Sequence, residues 1–291
     1  MATDLPHLPD ITRLSQRVTR ILGGNPGKFT LQGTNTYVLG TGRSRILIDT
    51  GEGNPAWRDS LSSFLEDGKA TISTCILTHW HLDHIGGVKD VLSLAPDAVI
   101  YKHDPELGNP NYDKEGAVEW HDIADGQTFA VEGANKIRAF HCPGHTTDHM
   151  ALILEDEDAM FTGDNVLGHG TAVFEDLAVY LSSLEKMEKQ FSGRAYPGHG
   201  DVIDDGKGKI REYITHRRQR EEQVLEVLGQ YKDQGCSSMD IVKVIYKDYP
   251  ENLWQPAEKG VIQVLEKLEG DGRVVRDKEK GVWKLSQKAA L

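Results

Sequence analysis

The chain has 291 residues, of which 38% are hydrophobic and 27% charged, and it carries a formal net charge of −12. That length suits one large core plus a small second domain, and the composition is that of an ordinary globular protein. No stretch approaches the roughly 18 consecutive apolar residues of a membrane span, so no membrane is expected as a partner.

Met1 to Pro6 shows neither the basic nor the apolar segment of a secretory signal. Cys75, Cys142 and Cys236 are too scattered to form a disulfide framework, and the expected location is the cytoplasm. Charge is uneven: residues 1–206 hold 16 Lys/Arg against 31 Asp/Glu (−15), and residues 207–291 hold 17 against 14 (+3). An acidic body of that kind repels polyanions unless a local patch overcomes its field.

In chain order, 29–40 and 45–49 read as paired strands joined by Gly40-Thr41-Gly42. Residues 55–67 have helical spacing (Trp57, Leu61, Phe64, Leu65) and stop at Gly68. Ser73 to Leu77 is a short buried strand, Val88, Val91, Leu92 and Leu94 mark a helix, and Ala98 to Tyr101 another strand. A second strand-rich half begins near Gln127 and continues through 137–141, 150–155 and 159–162, followed by a helix over 177–191. We place the boundary of this body at 208. Residues 209–231 then form a long helix that leads to helices over 239–246 and 257–269 and two short strands near Val274 and Val282. Helix, helix, hairpin is the outline of a winged helix. Its third helix mixes Glu258, Glu266 and Glu269 with Lys259 and Lys267, whereas a reader of nucleic-acid grooves needs a basic face. Packing or dimerisation is the better reading of 209–291, which leaves a homo-oligomer open.

Thr78-His79-Trp80-His81-Leu82-Asp83-His84 follows directly on the 73–77 strand, at the end of a strand where open α/β sheets place their ligand sites. His79 and His81 alternate and face one way in an extended loop, while Asp83 and His84 can serve a second centre. Imidazole plus carboxylate suits zinc better than magnesium, calcium or a soft thiolate metal. Further donors follow at likely strand ends beside Gly or Pro: His145 in Cys-Pro-Gly-His, Asp164 in Gly-Asp-Asn, and His199 in Pro-Gly-His-Gly. Each of these is weak alone; in this order, after the first motif, they are strong.

With Asp49 in Ile-Leu-Ile-Asp-Thr-Gly, this series resembles the metallo-β-lactamase superfamily. The resemblance implies an α/β fold, a four-layer αββα sandwich, here with a small C-terminal winged-helix-like domain. It implies two zinc ions per chain: His79, His81 and His145 on the first, Asp83, His84 and His199 on the second, and Asp164 bridging. Asp83 is then also the catalytic residue that orients the metal-activated water. Asp49 lies beneath the ligands and orients them, His149 is a supporting residue or proton donor, and His169 lines the pocket. Gly-Asn-Pro-Gly-Lys (24–28), Gln-Gly-Thr-Asn-Thr-Tyr (32–37) and the 162–171 segment are similar to the lactamase-beta-2-like subgroup, within it to the metallo-β-lactamase-type thioesterases of fungal polyketide pathways. That similarity implies hydrolysis of a small-molecule acyl thioester, releasing a polyketide from the acyl carrier protein domain of a polyketide synthase. Trp80, Phe174 and Tyr180 are candidates for the wall of an acyl channel. The alternative it leaves is a single-stranded RNA endoribonuclease, the only reading with a nucleic-acid partner.

Overall fold

The computed structural model describes residues 5–104, 119–231 and 234–286. It divides into two compact units, Met1–Glu175 with Ser182–Arg211, and Asp176–Leu181 with Glu212–Leu291.

The first unit is built on two sheets. Strands β1 (Ile11–Arg13), β2 (Val18–Leu22), β3 (Asn35–Leu39), β4 (Ser44–Ile48), β5 (Thr71–Leu77) and β6 (Val99–Lys102) lie side by side in chain order. Pairing is antiparallel as far as β4 and parallel from β4 to β6, because α1 (Pro55–Asp67) and α3 (Val88–Leu94) supply the crossovers. Between them lies the single turn α2 (Leu82–Ile85). Asn54 caps α1 by accepting from Ala56 N, and Pro55 follows at a position that has no need of its missing N–H. The second sheet has the order β11-β10-β9-β8-β7: β7 (Thr128–Val131), β8 (Ala134–His141), β9 (Met150–Leu154) and β10 (Ala159–Gly163) form an antiparallel meander, and β11 (Ala195–Pro197) joins in parallel.

Both faces of the first sheet are buried, which is why its central strands read as continuous apolar runs rather than alternating ones. Leu39, Ile46, Ile48 and Ile76 face inward, against Ile137, Leu152, Leu154 and Phe161 of the second sheet. On the outer face Val38, Leu47, Cys75 and Leu77 pack under Trp57, Leu61 and Val91 of α1 and α3. The second sheet is covered in turn by the C-terminal part of α4 (Leu177–Met187): Ser183 Oγ donates to Pro143 O and the Met187 sulfur meets Asn165. Helix, sheet, sheet, helix is the four-layer architecture.

Two expectations need correction. Residues 29–34 are not strand: Gly27 N donates to Leu31 O, and Leu31 sits at φ +56, so the chain turns here and β3 starts only at Asn35. The metal loop is extended only as far as His81; from Leu82 it winds into α2, with His84 N donating to His81 O. The strands β1 and β2 carry no clear periodic signal in the sequence.

The second unit holds most of α5 (Gly206–Tyr231), with α6 (Ser238–Ile245), α7 (Trp254–Gly270) and the hairpin β12 (Val274–Asp277) and β13 (Val282–Leu285). Ser237 and Asp240 form a reciprocal capping box at the start of α6. Ile241, Val242, Val261, Val264, Leu265, Leu268 and Val274 make its apolar interior. Cys236 bridges to Trp283, adding a third short extended segment beside the hairpin. This is a winged helix.

Candidate metal centre

Every predicted ligand leaves a strand end at the same edge of the sandwich. His79 and His81 follow β5, and Asp83 and His84 ride on α2. His145 lies between β8 and β9, Asp164 just past β10, and His199 just past β11. The seven side chains form two groups: His79, His81, His145 and Asp164 in one, Asp83, His84 and His199 in the other, with the donor atoms of each within 4.8 Å of one another.

In the first group, His79 Nε2 and His145 Nε2 each lie 3.0 Å from His81 Nδ1. His145 Nδ1 faces the carbonyl of Val173 at 2.7 Å, which can only accept, so its proton is there and the Nε2 lone pair faces inward. His79 Nδ1 faces Thr78 Oγ1 at 3.0 Å, whose own proton goes to Asp49 Oδ2 at 2.9 Å, so His79 too presents an Nε2 lone pair. Lone pairs converging at this spacing suit a cation: tetrahedral zinc with Zn–N of about 2.0–2.1 Å places its ligand nitrogens roughly 3.3 Å apart.

In the second group, His84 Nδ1 donates to Asp49 Oδ2 at 2.8 Å, which turns its Nε2 toward Asp83 Oδ2 and Asp164 Oδ1, each 3.4 Å away. His199 Nε2 lies 3.2 Å from Asp83 Oδ2 and 3.3 Å from Asp164 Oδ2. His84 Nε2 and Asp164 Oδ1 are buried and make no hydrogen bond. Buried polar atoms are nearly always satisfied, and two orphans at the centre of a donor cluster are atoms that a bound cation would satisfy. Asp164 reaches both groups, with its Oδ2 also 3.6 Å from His145 Nε2. The residues fit a pair of metal ions.

Electrostatics agree. Burial alone would raise the Asp83 carboxyl, but the hydrogen bond from His199 and the charge of His84 outweigh it and hold it at about 2. Burial would likewise raise Asp164, yet His199 and His84 keep it well below the ordinary range. Burial pushes His79 well down, so it is a neutral donor. Gly198 is required by close approach: a Cβ there would stand 2.3 Å from Asp164 Oδ1 and 3.0 Å from His84 Cε1. Cys142 is not part of the donor set; its thiol meets His149 at 3.3 Å, and burial pushes its pKa up to about 12.

Asp49 sits beneath the cluster at φ +58, accepting from Thr78 N, Thr78 Oγ1 and His84 Nδ1. His149 lies under the His79 ring at 5.2 Å, and its Nε2 accepts the Asp164 backbone N–H at 3.1 Å. The cavity over the ligands, of about 490 Å³, is lined by His81, Asp83, His145, Asp164 and His199 on its floor. Phe29, Leu31, Leu167, Val173 and Phe174 form its walls, with Lys28 and His169 also on the lining. Trp80 and Tyr180 are not among the lining residues.

Several supporting residues had no assigned role in the sequence. Asn35 N donates to Gly198 O, its side-chain amide donates to Pro197 O and Gly200 O, and Tyr37 Oη donates to Pro197 O, so β3 clamps the turn that carries His199. Lys102 at the end of β6 pairs with Asp148, whose other oxygen accepts from Thr146 Oγ1 at 2.6 Å. The signal for the first set was the Thr-Asn-Thr-Tyr motif; for Lys102 there was none, because nothing local marks a buried lysine.

Comparison with known proteins agrees with this geometry. Residues 29–199 match the Metallo-beta-lactamase superfamily, and residues 237–283 match the beta-lactamase associated winged helix domain. An atrochrysone carboxyl ACP thioesterase of Cryptosporiopsis sp. (strain 8999) is 44% identical over 96% of this chain and 88% of its own length. A beta-lactamase-like protein 2 homolog of Drosophila melanogaster is 46% identical over 92% of each chain. In fold, a beta-lactamase domain protein from Burkholderia ambifaria is similar with a TM-score of 0.77 at 20% identity, covering 98% of this chain and 95% of that one. With a family match over most of its first unit and relatives this similar along nearly its whole length, the chain belongs to the metallo-β-lactamase superfamily, as a hydrolase with a C-terminal winged helix domain.

Proposed function

We propose that the protein is a dinuclear zinc hydrolase that cleaves an acyl thioester, releasing a polyketide from an acyl carrier protein. The observation that carries this reading is the paired ligand group opening onto a cavity with mainly apolar walls. A cavity of about 490 Å³ is within the usual range for a small organic ligand. His79, His81, His145 and Asp164 would hold one ion, and Asp83, His84, His199 and the shared Asp164 the other. Zinc fits a nitrogen and carboxylate set without thiolate, and when bound it lowers the pKa of a water and polarises a carbonyl.

The chain's own residues supply the rest. Asp83, a carboxylate on the cavity lining, orients the attacking water and takes up its proton. Phe29, Leu31, Val173 and Phe174 seat the acyl group and keep bulk water from it. The leaving thiolate is stable enough (thiol pKa about 8.5) to need little help from an acid. Relatives named as ACP thioesterases, at about 44% identity, support this substrate class. Lys28 is the only Lys or Arg among the described residues lining the cavity, which disfavours a polyanion there.

The test is a parallel assay of the zinc-loaded protein with an acyl thioester on a carrier protein and with unstructured RNA. Thioester hydrolysis that disappears in His145→Ala is expected. RNA cleavage alone, lost in the same variant, would put a nuclease in its place.

A further inference from the structure

Thr34 is fully buried beside Asp83, outside the ligand set, and its Oγ1 lies 3.1 Å from Asp83 Oδ2. The direction of that hydrogen bond is dictated by Asn25. The backbone N–H of Thr34 meets Asn25 Oδ1 at 2.9 Å. A backbone N–H can only donate, so that atom of the amide is the oxygen and the other is the NH₂. Asn25 Nδ2 then donates to Thr34 Oγ1 at 3.1 Å, and reaches Glu52 Oε2 at 3.4 Å with its second hydrogen. A hydroxyl that accepts from an amide has its single proton to give elsewhere, and Asp83 Oδ2 is the acceptor in reach.

The same Asp83 oxygen faces His199 Nε2 at 3.2 Å and His84 Nε2 at 3.4 Å. All these contacts fall on Oδ2. Rotation of a carboxylate about its last torsion is soft and roughly two-fold, so the ligand groups alone do not settle which oxygen stays with them. We propose that Thr34, aimed by Asn25, is a positioning residue for the second metal: it holds Asp83 Oδ2 in the Asp83–His84–His199 group and leaves Oδ1 for the cavity. Thr34 is itself held fast, with its carbonyl accepting from Gly23 N at 2.7 Å and its backbone bridging to His199. One short segment therefore sets both Asp83 and His199.

This rests on the two-metal reading above, and its test does not need the substrate. Zinc affinities of the two sites are measured by competition against a chromophoric chelator for the wild type, Thr34→Val, Thr34→Ser and Asn25→Asp. Thr34→Val keeps the shape and removes the hydroxyl; it should weaken the second ion about 10- to 100-fold, as loss of an outer partner does, and leave the first within about threefold. Thr34→Ser should restore the second ion. Asn25→Asp keeps the acceptor for Thr34 N but cannot donate to Thr34 Oγ1, so the hydroxyl proton turns away from Asp83 and the second ion weakens although Thr34 is intact. A wild type that takes up two ions and a Thr34→Val protein that holds both equally well would overturn the proposal alone. Equal weakening of both ions, unrelieved in Thr34→Ser, would do the same. A wild type that binds fewer than two ions would overturn the two-metal reading and this inference with it. Should Thr34→Val not fold, the Ser and Asp variants decide the matter by the same criterion.

Discussion

His84 Nδ1 donates to Asp49 Oδ2 at 2.8 Å with both side chains buried, and this contact decides which nitrogen of His84 faces the centre. Asp49 also takes both Thr78 donors, and through Thr78 Oγ1 it governs His79 as well. One carboxylate thus fixes a tautomer in each ligand group. It does so from a left-handed backbone conformation that costs a non-glycine residue about 1–2 kcal/mol.

Asp49→Asn should keep the shape but confront one of these donors with an NH₂ group. We expect zinc affinity about 10- to 100-fold weaker at one or both sites, read by competition with a chelator, at nearly unchanged secondary structure. Wild-type affinity in this variant would mean that Asp49 does not set the tautomers.

Lys102 and Asp148 form a buried pair, with side chains 6% and 3% exposed, between β6 and the β8–β9 segment that carries His145. Removing one partner strands a charge in the interior. Lys102→Met should lower stability by about 3–5 kcal/mol, and the double variant Lys102→Met with Asp148→Leu by much less, because it strands none. Urea denaturation of the metal-loaded proteins measures both; equal losses in the single and double variants would contradict the account.

On the proposed zinc reading, protons take the place of the ions in metal-free protein. Burial by itself would lower His199, but Asp164 and the hydrogen bond to Asp83 push it up to about 9. An unfolded histidine titrates near about 6.5. The folded pKa is the higher one, so this contribution to stability is fully present below about pH 6.5 and is lost as pH rises through about 9. Chelated protein should therefore melt at progressively lower temperature from pH 6.5 to 9, and zinc should bind more tightly over the same range as its ligands lose their protons. A metal-free melting temperature that rises over this range would refute the sign.

Phe29 is 71% exposed and Val173 63% exposed, and both line the cavity over the ligands. Phe29→Ala should raise KM for an acyl thioester about tenfold, since burying an aromatic side chain contributes about 1.5–3 kcal/mol, while zinc affinity stays unchanged. A fall in kcat at constant KM would instead place Phe29 in the chemistry.

The candidate donors that the structure brings together were legible in the chain because they are unusual residue types at turns that end apolar strands, and four of them fall between His79 and His84. The stacked sheets were implied by the family resemblance that those donors carry, and the helix, helix, hairpin ending pointed to a winged helix. The residues that aim those donors were not legible as such. Asn25, Thr34, Asn35 and Thr78 are common polar residues whose roles depend on partners far along the chain: Asn35 acts on a turn 162 residues away, and Thr34 on a carboxylate 49 residues away. Hydrogen-bond direction, tautomer and the pairing of Lys102 with Asp148 exist only once the two sheets are packed. Sequence by itself determined which atoms can bind metal, since donor chemistry belongs to single side chains. Only the tertiary structure decided how they are oriented and what walls stand over them, since both depend on contacts between segments that local sequence does not relate.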